Sequence, residues 1–565
     1  MAAFAKVHKV GFVQVEPKAI HCLAYDEDVR KIAVSRSDNS IEIWNLQGNP
    51  YQECTFLARL DYSVEALGWY QGRLFSTGLS GFLVEYCPYS FEIKVGTENG
   101  YVSIFTLLED GFTYEKHLDR QQGVDPMMVE FKRAEGGERE WVRSLGRVTH
   151  SHDVRAVLNL NKFLITGGID GYLSISTRHT MTVRYPGIPQ APCVEVLPTA
   201  RKLLVHTKTA LELWRLGSAV DREPPKDGSR RFLKVIEPPR KVLVIEPQDN
   251  EIIITCAASP NASWLAYSLT NSMKIFNLEL VREYEEDIVL RKVKCLPSEC
   301  ERGATALSFI SEDRLLAGDN QGSLHVFRFH DMSYISGPQC DVSIPNVLTG
   351  EVGRKSAVCL ISHDSKEKRC AVAGSFPAVA VVDLNSFTVT HRLKVNSLAP
   401  VTAMAMQPGT SNLILVFSDR MIQEVNAKTG EFTKWYREIY RKLPLAHLSH
   451  PYAARGVSFH PRHQNLLLIH DTSAVVILDK QQIQIENRDT KKELEELKRK
   501  SHKRTKKMGR KEESHKEAGV AVHKQYRHVV GMGFLSEDEL VIVQRTPEQL
   551  ISTLPPPLKK KKFGT

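Results

Sequence analysis

Nine of the fourteen residues from 498 to 511 are basic, in the run KRKSHKRTKKMGRK: Lys498, Arg499, Lys500, Lys503, Arg504, Lys506, Lys507, Arg510 and Lys511. Charge this dense suits two tasks, contact with RNA phosphates and recognition as a nuclear localisation signal. No Phe, Tyr or Trp interrupts the run, so base stacking is not indicated, and an RNA contact here is to the backbone, tolerant of sequence and sensitive to salt. The bland alternative is a solvated helical extension, because KKELEELKRK from Lys491 sets Leu494 and Leu497 at helical spacing with i,i+4 charge pairs. Beyond it the run becomes almost purely positive, which favours targeting or nucleic acid. A second run, Lys559, Lys560, Lys561 and Lys562, follows a stiff LPPP stretch that cannot enter a sheet. It reads equally as a further import or RNA contact and as a solvated tail.

Other groups invite chemistry less well. His447 with His450, and His460 with His463, lack Cys or carboxylate partners at ligand spacing, so neither a metal nor another cofactor is expected. In SFHPRHQNLLLIHD the His-Pro suits a turn between strands. GEVGRKS from Gly350 fails the frame of a phosphate loop, GMGF from Gly531 lacks a third Gly, and no nucleophile elbow or HExxH is present. The expectation is a non-enzymatic protein with no small-molecule substrate. A triad assembled from distant loops stays open, its mark being a cluster of buried, shifted acids or histidines at one place.

The 565 residues are 42% hydrophobic and 25% charged with a formal net charge of +9, ordinary for a folded chain. Residues 488–516 hold 13 basic and 6 acidic side chains, and with the terminal lysines they account for the whole excess, leaving the remainder near neutral. Ten scattered cysteines without a CxxC pair suit a reduced compartment, and no run of about 18 apolar residues offers a membrane span.

These groups must be carried by something, and the pattern along the chain is short β-type runs around polar turns, repeated. Asp38-Asn39, Ser80-Gly81, Asn99-Gly100, Asp170-Gly171 and Gln321-Gly322 sit where a hairpin needs a residue tolerant of positive φ. Asp38 to Ser80 is 42 residues and Asp419 to Asp471 is 52, the length of a four-stranded propeller blade. About seven units fit between Cys193 and Val543, enough to close a ring. The first half departs: two of its turns lie 19 residues apart, and GVDPMMVEFKRAEGGEREW, in the 71 residues from Asn99 to Asp170, shows no strand alternation. The fold class expected is all-β, tandem WD40-type β-propellers, the first incomplete at three to four blades and the second of about seven. Residues 1–180 form the truncated N-terminal unit with an irregular segment at 108–150; residues 181–557 form the second propeller, with a basic insertion at 481–525 between its last two blades; residues 558–565 are a lysine-rich tail. An open stack leaves edges unpaired and an apolar blade face bare, so residues 81–151 are expected to be the least ordered part of the N-terminal half.

IEIWNL, LELWRL and MKIFNL are degenerate WD strands, and His150 and Asp170 stand where a WD repeat has the His and Asp of its structural tetrad. Trp44 and Trp214, with that pair, are expected to be structural, filling layers between blades. KVHKVGF, SRSDNSIEIWNL, SHDVRAV, LELWRLGS, NASWLAYS, SFHP and above all the non-periodic LPPPLKKKKFGT resemble the cirhin family of WD-repeat proteins. That resemblance implies two seven-bladed propellers, of which this chain looks like a shortened version lacking part of the first. It further implies a nucleolar, hence nuclear, scaffold in the UTP-A subcomplex of the small-subunit processome, with other processome WD-repeat proteins and pre-rRNA as partners and no membrane. Its implied role is support of pre-rRNA transcription and of processing toward 18S rRNA. A WD-repeat substrate adaptor of a ubiquitin ligase or chromatin complex is the alternative.

Overall fold

Alternating apolar strands joined by tight turns pair with their sequence neighbours, and in the computed structural model of the protein the described residues form eight four-stranded sheets in that way, with two of three strands and two of two. The structure describes residues 6–554 and 556 except 58–63, 79–82, 88–92, 97–126, 134–140, 161–162, 178–181, 220–234, 249–250, 283–286, 330–337, 349–355, 365, 367, 441 and 484–518.

Seven sheets form a closed ring. Their inner strands, Val194–Leu197, Thr255–Ala258, Ala306–Ser311, Val358–Asp364, Val401–Met406, Gly456–Phe459 and Val529–Phe534, pack each against the next, and the last against the first. Seven apolar layers fill the seven gaps between these blades. At the closing gap a Cβ on Gly531 would fall 2.5 Å from that of Val194, so only glycine lets the two blades meet. Blade five, 401–426, has three strands, and a return by 431–433 covers part of its edge through Thr433 N–H to Glu424 O at 3.1 Å. Blade seven is completed from the far end of the chain: Lys6–Val10 lies parallel to Glu539–Gln544, with Lys6 opposite Glu539 and Val10 opposite Val543.

Three further blades, 20–57, 66–96 and 154–185, form an open arc, with the first in the middle. Two apolar layers join them. The outward faces of the two end blades carry no described blade, and Tyr70 and Val157 there are 63% and 61% exposed. The all-β fold class, with three blades in the first unit and seven in the second among the described residues, is as the sequence led one to expect.

Three details differ from that reading. The segment called irregular holds an antiparallel hairpin, Met127–Arg133 with Trp141–Val148, which the charged residues of MMVEFKR concealed although Val129 and Phe131 do alternate with Glu130 and Lys132. The basic insertion lies inside blade six, not between the last two blades, because the short strand Val520–His523 returns to pair with Val475–Asp479. The first strand joins the ring and not the N-terminal unit, as its pairing with Glu539–Gln544 requires. Much of 81–151 lies outside the described residues, and so does the expectation about its order. The turns at Asn39, Gly171 and Gly322 take φ of 58°, 72° and 81°, while those at Ser80 and Asn99 lie outside the described residues.

Candidate functional site

Two places could meet a partner: the neck of the basic insertion and the channel of the ring. At the neck, Asp479 N–H donates to Gly519 O at 2.8 Å and Ile483 N–H to Asp479 O at 3.1 Å, so the described residues on either side of 484–518 are held together at the outer edge of blade six. The nine basic residues Lys498, Arg499, Lys500, Lys503, Arg504, Lys506, Lys507, Arg510 and Lys511, and Lys559 to Lys562, all lie outside the described residues. Beside the neck, Lys480 pairs with Glu424 and sits 4.9 Å over the ring of Trp435. This cation is thereby held by the protein itself.

The remaining residues singled out from sequence lie within and between blades. His150 Nδ1 meets Asp170 Oδ1 at 2.9 Å and its Nε2 meets Thr166 Oγ1 at 2.8 Å. Burial alone would raise the Asp170 carboxyl, but the His150 bond and charge and the amides of Ser151 and Tyr172 hold it below the ordinary value. Hydroxyl, imidazole and carboxylate stand in the order of a hydrolase triad, yet Thr166, His150 and Asp170 are at most 1% exposed, so no substrate reaches them. A second such relay, Ser343 to His325 at 2.7 Å and His325 to Asp319 at 3.3 Å, has an exposed hydroxyl on an outer strand but lines neither described cavity. Trp44 fills the layer between two arc blades, 4.9 Å from Tyr185, and donates to Glu42 at 3.1 Å. Trp214 packs 3.8 Å from Phe12 at the closing layer of the ring and donates to Glu212 at 2.8 Å.

Histidines that suggested metal are otherwise engaged. His460 Nδ1 accepts from the amides of Arg462 and His463, both at 3.1 Å, which makes the turn. Buried His447 accepts from Arg420 and donates back to its carbonyl, and burial and the Arg420 charge keep it neutral, well below its usual range. Arg420, unsuspected from sequence, occupies the positive-φ turn position (66°) that Asn or Gly fills in other blades. Its guanidinium is fully buried and reaches Asp471 at 2.8 Å and Tyr452 O at 2.9 Å. Burial pushes Asp471 up, but His450 and Arg420 bring it down to about 2. Among the described residues no group of three or more His, Cys, Asp or Glu is placed to hold a metal.

The arc sits across one mouth of the ring. Its outer strand Tyr51–Leu57 and the linkers 11–19 and 186–193 join the inner strands of the ring in lining a cavity of about 810 Å³. Asn49 donates to His450 O at 3.0 Å, Ser418 to Gln47 O at 2.6 Å and Tyr452 to Arg184 O at 3.2 Å. Lys208, on a turn of ring blade one, reaches Ser40 at 2.7 Å, Asp38 at 3.5 Å and Glu42 at 3.6 Å in the arc. Burial raises Glu42, but Arg36 and Lys208 overcome it and keep the carboxyl low. In the same cavity Glu195 accepts a single bond, from Ala258 N–H at 3.0 Å, and burial pushes its carboxyl up to about 7. Nothing in CVEVLP flags this residue except a charge on an innermost strand.

No family model matches the chain. It is 25% identical over 730 aligned positions to the Mus musculus protein named U3 small nucleolar RNA-associated protein 4 homolog, covering 99% of each. The likeness runs from end to end. The Homo sapiens protein of the same name gives 25% over 724 positions, again with 99% of each chain covered. The Schizosaccharomyces pombe U3 small nucleolar RNA-associated protein 4 gives 24% over 379 positions, 63% of this chain and 49% of that one. Among solved structures, a chain from a crystal structure of the mitotic checkpoint complex overlays at a TM-score of 0.36 with 15% identity, covering 51% of this chain and 74% of that chain.

Proposed function

We propose that this protein is a non-enzymatic scaffold of ribosome biogenesis, acting with U3 small nucleolar RNA in the small-subunit processome to support pre-rRNA transcription and processing toward 18S rRNA. The observation that carries the reading is the full-length likeness to proteins named for association with that RNA. A ring of seven blades plus an arc gives a multivalent surface, and the segment at 484–518, set off by its closed neck, gives a basic appendage on a near-neutral body. The reading extends to a nucleolar location, to partners among the WD-repeat proteins of the UTP-A subcomplex, and to backbone contacts with pre-rRNA from Lys498–Lys511 and Lys559–Lys562. It also extends to membership of the cirhin family in a form shortened within the first propeller, since 730 aligned positions exceed the 565 residues of this chain and three blades are described where the resemblance implies seven.

The test is purification of the tagged full chain, with its RNA and protein partners identified, beside the same chain lacking residues 484–518. Enrichment of U3 RNA and ribosome-assembly factors, with an RNA salt dependence that flattens by roughly 0.7 per lost phosphate contact in the deletion, supports the reading. Enrichment of ligase subunits in their place overturns it, and an unchanged salt dependence removes the RNA role of the segment.

A further inference from the structure

Of the acids that line the channel cavity and are not exposed to solvent, all but one are paired. Asp38 and Glu42 lie within reach of Lys208, Glu53 meets Lys31 at 2.6 Å, and Glu212 meets Lys241 at 2.8 Å. Glu195 on the inner strand Val194–Leu197 has no cation among the described residues, only the Ala258 amide, which leaves most of its acceptor capacity unused. A carboxylate out of bulk water without a counter-charge is costly, and such groups are kept where something comes to meet them or are neutralised.

A second polar group nearby is also incomplete. Glu195 pairs with Leu204, and His206 stands two residues along that strand on the same face, with its amide bonded to Cys193 O at 3.0 Å. Its imidazole is 6% exposed, lines the cavity and has no partner at Nδ1. Nε2 faces Pro192 O at 3.4 Å, and because a carbonyl only accepts, Nε2 carries the hydrogen. Burial holds the ring below its usual range and so neutral, which makes Nδ1 a lone-pair acceptor. Tyr185, 2% exposed on the same cavity, likewise has an unpartnered hydroxyl. One carboxylate and one imidazole acceptor match a head group that only donates. Among side-chain groups with that property, ammonium and guanidinium also bring a permanent charge to meet the carboxylate.

We propose that the ring channel is a binding site for a cationic side chain, lysine or arginine, on a partner polypeptide, with the Glu195 carboxylate and His206 Nδ1 as its acceptors. The arc covers one mouth, so the partner enters from the other. The site is independent of the RNA-facing segment and does not rest on the ribosomal reading.

The test uses the full chain and a fluorescein-labelled glycine pentapeptide with lysine at its centre, beside its arginine and acetyl-lysine forms, followed by anisotropy. The lysine and arginine probes should bind, and acetylation should weaken the lysine probe at least tenfold, since it removes the charge. Glu195→Gln, which keeps shape, should weaken the charged probes at least tenfold without lowering the melting temperature. Equal binding by wild type and Glu195→Gln, or by the lysine and acetyl-lysine probes, overturns the proposal. So does an absence of binding by all three probes to wild-type protein whose melt is cooperative.

Discussion

Ring and arc are built from similar blades of three or four strands, yet each ring blade has a neighbour on both faces whereas the three described blades of the arc have two layers between them. Inner strands show the contrast: Val401–Met406 faces neighbours on each side, while Ala66–Tyr70 alternates with residues open to solvent. Closure therefore does for the ring what docking does for the arc, whose middle blade is anchored to the ring through Lys208, Ser418 and Asn49. The arc of described blades leans on a complete ring. The polar devices do not follow that division: buried ion pairs lie within an arc blade, as at Lys31 with Glu53 and Arg36 with Glu42, and between ring blades, as at Arg420 with Asp471.

Removing residues 1–10 should break the comparison most severely, by turning the ring into a second open arc. The five residues of Lys6–Val10 give up their pairing with Glu539–Gln544, about 5 kcal/mol at about 1 kcal/mol net for each residue. Denaturant unfolding should lose its main cooperative step, with proteolysis now starting near 529–544. Arg420→Ala should cost about 3–5 kcal/mol, because it strands a buried Asp471; the urea midpoint checks this, and a change under 1 kcal/mol would show the pair to be idle. Glu195→Gln should act with the opposite sign. Its carboxyl, raised to about 7 in the fold, holds a proton more tightly than in the unfolded chain, so the cost of ionising it is absent below about pH 4.5 and complete above about pH 7. The variant should gain up to about 3 kcal/mol at pH 8 and nothing at pH 4, as read from melts across that range. The smallest effect is expected on the bare arc face: Val157→Ser should stay within about 0.5 kcal/mol, where Leu415→Ala in the ring costs about 2–5 kcal/mol. A larger loss at Val157 would mean that this face is covered in solution.

Local features were legible in sequence and distant pairings were not. Turn residues at Asn39, Gly171 and Gly322 announced their own backbone, since positive φ selects the residue type at that position. Repetition then gave the blade count in the ring. KVHKV shows the alternation of a strand, but nothing in five residues names a partner more than five hundred positions away. Val520–His523 was hidden for a related reason, because its mate precedes a long basic insertion. His150 and Asp170 could be singled out from spacing, whereas Glu195 and Arg420 draw their character from burial and from groups on other blades. At the Lys-rich segment sequence remains the whole basis, since its residues lie outside those described.

The strand that completes blade seven gives the molecule a clock. Lys6–Val10 is made more than five hundred residues before Glu539–Gln544, so at about 5–20 residues per second the ring stays open for roughly half a minute to two minutes of synthesis. Six blades wait on the ribosome for a latch already present but without its keeper, and any chain abandoned before residue 544 cannot shut. A chain cut short of residue 544 thus keeps unpaired strand edges where blade seven should be completed.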